Sequence, residues 1–233
     1  AVKPIAAACS ADLYDFAALG EAIATAGNSA IPLVKALGKQ IAASDAEAER
    51  YVHLGATSQD VMDSGLVLQL RQALALIEND LSQLADSLAI QAQRHAATPL
   101  AGRTWLQHAT PVTLGMKIAG WLGAVTRSRQ RLRELKPRLL VLQFGGASGT
   151  LAALGEQALP IAQALAEELQ LTLPEQPWHT QRDRVVEFGA VLGLIAGSLG
   201  KFGRDISLLM QTEAAEVFEP AAPGKGGSST MPH

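Results

Sequence analysis

The stretch TQRDRVVEFGAVLGLIAGSLGKFGRDISLLMQTEAAEV, residues 180–217, decides the fold class. Within it Val185, Phe188, Leu192, Ile195, Leu199, Phe202, Ile206 and Leu209 recur in alternating steps of three and four, the pattern of a helix whose apolar seam lies inside a bundle. A second stripe, Gly189, Gly193, Gly197, Gly200 and Gly203, runs beside it. Each such glycine costs a helix about 1 kcal/mol against alanine, so close approach of another backbone is the expected compensation.

Earlier in the chain, Leu66, Leu70, Ala73, Ile77, Leu81, Leu84 and Leu88 repeat the same periodicity, and no proline intervenes between Ser58 and Pro99. This predicts one helix of roughly 35 to 40 residues, about 55 Å long, with Ser58 or Asp60 capping its start. A further helix is expected from Pro111 to about Lys136, ended by Pro137, and another from about Gly155 to Gln170. No period-two alternation marks a strand. The expected fold class is therefore all-α, an elongated long-helix bundle. Helices this long expose more apolar length than one small domain covers, so the core is expected to be completed by association with further copies.

Composition narrows the function. With 233 residues, 48% hydrophobic, 18% charged and a net charge of −3, the chain is globular and lacks the basic excess that a nucleic-acid or anionic-membrane partner requires. The uncharged run at residues 188–200 is too short to span a bilayer. One cysteine, Cys9, excludes an internal disulfide, and no Cys/His spacing suits zinc; a metal-free cytoplasmic protein is expected, with Cys9 read as a small buried hydrophobe. Arg127, Arg129, Arg131 and Arg133 turn by about 200° per step on a helix, which spreads them around it as a solvated or inter-subunit face rather than a phosphate site. The glycines at 145–149 and the segment PGKGGSS meet neither dinucleotide nor P-loop spacing and read as loops. The chain opens without an initiator Met and closes on a glycine-rich segment, which suggests part of a longer polypeptide.

Three dense polar segments separate the apolar elements: HLGATSQD at 53–60, GRTWLQHATP at 102–111 and GKGGSSTMPH at 224–233. Two immediately precede predicted helices. Helix starts carry unpaired N–H groups and positive partial charge, so Thr57, Ser58 and the Thr110 region are natural cradles for a carboxylate. Taken singly, Thr57 and Ser58 serve equally as caps, His53 and His108 as structural histidines, and the serine pair as linker. Periodicity and composition support anion-friendly helix starts and do not name a reaction.

Together the three segments resemble the signature regions of the fumarase/aspartase superfamily. GSSTMPH at 227–233 is similar to the start of its GSSxMPxKxN signature, while HLGATSQD and GRTWLQHATPVTLG are similar to its first two regions. Trp105 stands where fumarases and adenylosuccinate lyases carry a histidine after Arg-Thr, His108 follows three residues on, and the stretch around Asn28 lacks the second histidine of adenylosuccinate lyases. With the wording of AIATAGNSAIPLVKALGK and PWHTQRDRVVEF, these features resemble the lactone-forming cycloisomerase branch.

The resemblance implies a homotetramer with active sites shared between subunits, residues 1–56 belonging to a first helical domain and residues 57–233 to the central bundle. It implies intramolecular addition of one carboxylate of a 3-carboxymuconate to a double bond, in aromatic breakdown, without metal or organic cofactor. Ser228 would exchange the proton with carbon and His108 would be its partner. Thr57, Ser58, Gln59, Thr110, Gln181, His53 and Ser229 would bind or orient a small polycarboxylate, while Arg103 and Arg182 would hold structural ion pairs. An adenylosuccinate- or argininosuccinate-type lyase, and an inactive helical scaffold, are the competing expectations.

Overall fold

The computed structural model describes all residues except Ala221, Gly226, Ser228, Pro232 and His233. Four short helices open the chain: α1 (Val2–Ala8), α2 (Phe16–Ala26), α3 (Ala30–Ala42) and α4 (Ala46–Glu49). Then follow α5 (Ser58–Arg94), strands β1 (Pro99–Thr104) and β2 (Gln107–Thr113), α6 (Leu114–Leu139), α7 (Ala158–Leu169) and α8 (Asp183–Leu209). The chain forms two compact units: Ala1–Ile77 with Leu132–Phe188, and Glu78–Arg131 with Gly189–His233.

The first unit is organised around Val67, Val141, Leu142, Phe144, Leu151, Leu171 and Trp178, with a smaller cluster of Ala8, Ile41 and Ala48 under the opening helices. In the second unit Leu81, Leu88, Ile118, Trp121, Val125, Ile195 and Leu209 are buried. There the Trp121 ring lies 4.5 Å from that of Phe202, and its Nε1 donates to Asp205 Oδ2 at 2.7 Å. Burial opposes the Asp205 charge, but hydrogen bonds from Lys201 and Trp121 outweigh it and hold the carboxyl below its ordinary range.

The long helix expected from Ser58 is present and spans 37 residues. Its buried line runs through Asp60, Asp63, Ser64, Val67, Leu74, Leu81, Ala85 and Leu88, so the first turns bury polar groups that an apolar seam does not register. Four other expectations are corrected. Residues 99–113 form an antiparallel hairpin, with Pro111 opposite Ala101 in the ladder, so α6 starts at Leu114 and the chain is predominantly rather than wholly helical. The same helix passes through Pro137 to Leu139: a proline near the end costs little backbone bonding, and Leu135 and Leu139 are buried on either side of it. Gly155, at φ 54° and ψ −135°, breaks the expected 155–170 helix, and α7 starts only at Ala158. Helix α8 ends at Leu209, followed by a turn that closes with Glu216 N donating to Leu209 O at 2.9 Å.

Cys9 is exposed rather than buried, because α1 is only 7 residues long and buries Ala8 alone. Among the described residues, nothing lies within 4 Å of a Cβ built on Gly189, Gly193, Gly197, Gly200 or Gly203, so the backbone approach expected there does not come from this chain. Among the described helices α8 is long and apolar enough by composition to cross a membrane, with mean hydropathy 1.5. Its charge-free run, between Glu187 and Lys201, covers only about 20 Å against the roughly 30 Å of a hydrocarbon core. Arg127, Arg131 and Arg133 are exposed, as a solvated face requires, whereas Arg129 is half-buried and donates to Ser82 Oγ at 3.1 Å.

Candidate active site

In the first unit, α5 begins with half of a capping box. Thr57 occupies the N-cap position and Asp60, three residues on, accepts the Thr57 N–H at 3.0 Å. This revises the expected cap, since Asp60 works by reaching back rather than by starting the helix. Its carboxylate, 3% exposed, also accepts Gln143 Nε2 at 2.8 Å, Gly145 N at 3.0 Å and Gly146 N at 2.8 Å. Four donors saturate the lone pairs of a carboxylate. The glycine-rich loop at 145–149 is therefore a loop, as expected, and its first amides are committed to a carboxylate of the protein.

Gln143 extends this buried network. Its N–H donates to Ser64 Oγ at 2.9 Å, its carbonyl accepts the Ser64 hydroxyl at 2.7 Å, and its side-chain oxygen accepts Trp178 N at 2.7 Å. Trp178 Nε1 donates to Leu142 O at 3.0 Å. Every member has its partners, so the network fixes the 143–146 segment against α5 instead of costing unpaired buried groups.

Arg182 forms a two-pronged pair with the buried Asp63, at 2.6 and 2.9 Å, and stacks 5.1 Å from the Trp178 ring. Its hydrogen bonds to Asp63 raise the guanidinium pKa further. Gln59 Nε2 donates to Asp63 Oδ2 at 3.1 Å and to His179 O at 2.6 Å, which uses both protons of its amide. The Thr57 and Ser58 hydroxyls make no hydrogen bond among the described residues. Thr57 and Gln59 line an open cavity of about 950 Å³ with Ser148, Thr150, His179 and Thr180. Gln181 is exposed just after it, and His53, at φ 59°, sits half-buried in the turn before α5.

The remaining described candidates lie in the second unit. His108 and Thr110 are exposed on β2, and both line a cavity of about 810 Å³ with Arg103, Trp105 and Lys201. Thr104 and Gln107 pair across a two-residue turn in which Trp105 and Leu106 both take positive φ, 52° and 63°. Side chains with a Cβ pay strain there, and Trp105 is 95% exposed. Arg103 donates to Glu216 through Nη1 and Nη2, at 2.6 and 3.0 Å, so it holds an ion pair as expected. These bonds, with a smaller contribution from His108, hold the Glu216 carboxyl below its ordinary range. Ser229 is exposed, and Ser228 lies outside the described residues.

The structure thus groups Thr57, Ser58, Gln59, His53 and Gln181 in one unit and His108, Thr110 and Ser229 in the other. Asp60 and His179 did not emerge from the sequence as site residues. The spacing of Thr57 and Asp60 was a legible capping signal, whereas nothing local ties either residue to a glycine loop eighty positions away.

A lyase family profile matches residues 1–233, and the chain belongs to that family, within the fumarase/aspartase superfamily. It is 83% identical over its whole length to the 3-carboxy-cis,cis-muconate cycloisomerase of Pseudomonas aeruginosa, covering 51% of that protein. It is 75% identical, again over its whole length, to the corresponding enzyme of Pseudomonas putida, covering 55%. The crystal structure of 3-carboxy-cis,cis-muconate lactonizing enzyme from Pseudomonas putida superimposes with a TM-score of 0.95 at 79% identity, over 100% of this chain and 52% of that one. The chain spans about half the length of the curated relatives it matches.

Proposed function

We propose that the protein carrying this chain converts 3-carboxy-cis,cis-muconate to a carboxymuconolactone in the breakdown of aromatic compounds. The observation that carries the reading is the 83% identity to the Pseudomonas aeruginosa cycloisomerase, which extends through all three polar segments. The geometry supports it: the helix start opens through Thr57 and Gln59 onto a cavity large enough for a tricarboxylate.

One substrate carboxylate oxygen attacks a carbon of the double bond, forming the C–O bond. The π electrons move to the neighbouring carbon and into its carboxylate, and that carbon then accepts a proton. The enzyme must hold concentrated negative charge and deliver one proton. Thr57 and Ser58 supply hydrogen bonds and the field of the α5 N-terminus. Gln59, with its amide protons already committed, holds the His179 segment in place. His53, Gln181, Thr110 and Ser229 complete the binding groups. Ser228 exchanges the proton with carbon, and His108 orients or protonates the lactone-forming carboxylate.

Because these residues lie in two separate compact units, we infer that complete sites assemble in a cytoplasmic homotetramer whose subunits share them. Residues 1–56 belong to the first domain and 57–233 to the bundle. The chemistry needs no metal or organic cofactor, since the substrate's own carboxylate takes the developing charge.

Ser228→Ala in the full-length protein tests the assignment. Turnover of 3-carboxymuconate, followed by ultraviolet absorbance, should fall by orders of magnitude with the oligomer retained. Unchanged turnover rejects the serine, and turnover of adenylosuccinate instead of 3-carboxymuconate rejects the cycloisomerase.

A further inference from the structure

We propose that His179 is a substrate-binding residue, contacting one carboxylate of the bound tricarboxylate through Nδ1. This deepens the functional reading above and rests on it. The imidazole Nε2 lies 3.0 Å from Asp60 Oδ1 and is fully buried, in ion-pair range but without hydrogen-bond alignment. Burial beside Asp60 closes Nε2 to any ligand entering the cavity. Asp60 cannot swing away to relieve the contact, because its four donors hold it. Nδ1 is therefore the ring nitrogen left to meet a ligand.

Position completes the case. The His179 side chain is 19% exposed, yet Nε2 contributes none of that exposure. The open part of the ring belongs to the cavity wall, alongside Thr57, Ser148 and Thr150. A Cβ at Gly145 would stand 2.6 Å from the ring Cε1, so only glycine at 145 admits the imidazole in this place, and Nδ1 is the atom nearest a Cβ at Gly149. The backbone is held as well, since His179 O accepts Gln59 Nε2 at 2.6 Å. The charged groups around the ring are Asp60, the Asp63–Arg182 pair and Glu175 on the cavity wall, with Arg182 Nη1 3.4 Å from His179 O. With Asp63 neutralised by Arg182 and Asp60 committed to its donors, an arriving carboxylate finds the Thr57 hydroxyl of the helix start on one side. On the other it meets a ring able to take up a proton and donate it as a charged hydrogen bond.

The test uses the full-length protein and tricarballylate, a saturated tricarboxylate that cannot react. Calorimetry at pH 8 in two buffers of different ionisation enthalpy measures both affinity and protons taken up on binding. Wild type should bind with uptake of a fraction of a proton per site. His179→Gln, which keeps the volume and a donor, should bind roughly tenfold to a hundredfold more weakly with that uptake abolished. It should raise KM for 3-carboxymuconate far more than it lowers kcat. His179→Gln that binds tricarballylate with wild-type affinity and proton uptake overturns the proposal, as does wild type that fails to bind it. Binding with the expected uptake but no turnover of 3-carboxymuconate sustains His179 as a polycarboxylate contact and refutes the cycloisomerase reading instead.

Discussion

Replacing Asp60 by Asn removes half of the acceptor capacity on which the 57–60 and 143–146 segments depend. The carboxylate accepts Gln143 Nε2 and Gly145 N on one oxygen, and Thr57 N and Gly146 N on the other. Asparagine presents one oxygen and one NH2, so either orientation turns two of these donors against another donor. At about 1 to 3 kcal/mol for each orphaned buried donor, the cost is about 4 kcal/mol, a large share of the roughly 5 to 15 kcal/mol that separates folded from unfolded in an ordinary domain. Because the loss is local, hydrogen–deuterium exchange read peptide by peptide in the full-length protein is the suitable assay. Amides at 143–147 and 57–60 should exchange about a thousandfold faster, at a factor of ten per 1.4 kcal/mol, while those of α3 and β1 change little. Acceleration below tenfold in both segments, with the protein still folded, would refute the account of Asp60 as the tie between helix start and glycine loop.

Three further perturbations check other parts of the structure. A Cβ at Gly115 would meet Ala92 O at 2.5 Å and Ala96 Cα and His95 O at 2.7 Å, all backbone, so Gly115→Ala should destabilise by about 2 kcal/mol or more in chemical denaturation. Gly197, whose Cβ would meet open space in this chain, should instead tolerate alanine within each subunit, while sedimentation shows weaker assembly if the stripe seats a neighbouring subunit. Glu216 is held below its unfolded pKa by Arg103, so it stabilises the folded state above the ordinary carboxylate range and loses that contribution as pH falls through its depressed folded value. The protection that wild type shows over Glu216→Gln at residues 99–113 should therefore be full at pH 7 and shrink in acid. A difference independent of pH removes the ion pair from the account.

The three signature segments and the long helix from Ser58 were legible from residue order alone, because helical periodicity and capping are local and repeat without reference to the rest of the chain. The family resemblance also placed Arg103 and Arg182 in ion pairs, and their partners Glu216 and Asp63 were left to the tertiary structure. Residue order did not reveal the hairpin at 99–113. That element has no apolar alternation, and it is held by a backbone ladder and by Glu216, over a hundred residues further on. The exposure of Cys9 was equally invisible, because a short apolar opening reads as buried until its neighbours are known. Only tertiary structure decided that Asp60 would be enclosed by Gly145, Gly146 and Gln143, and that His179 would stand against it. These contacts join residues eighty and more positions apart, and the free energy that selects them comes from satisfying buried polar groups, a condition no stretch of sequence meets by itself.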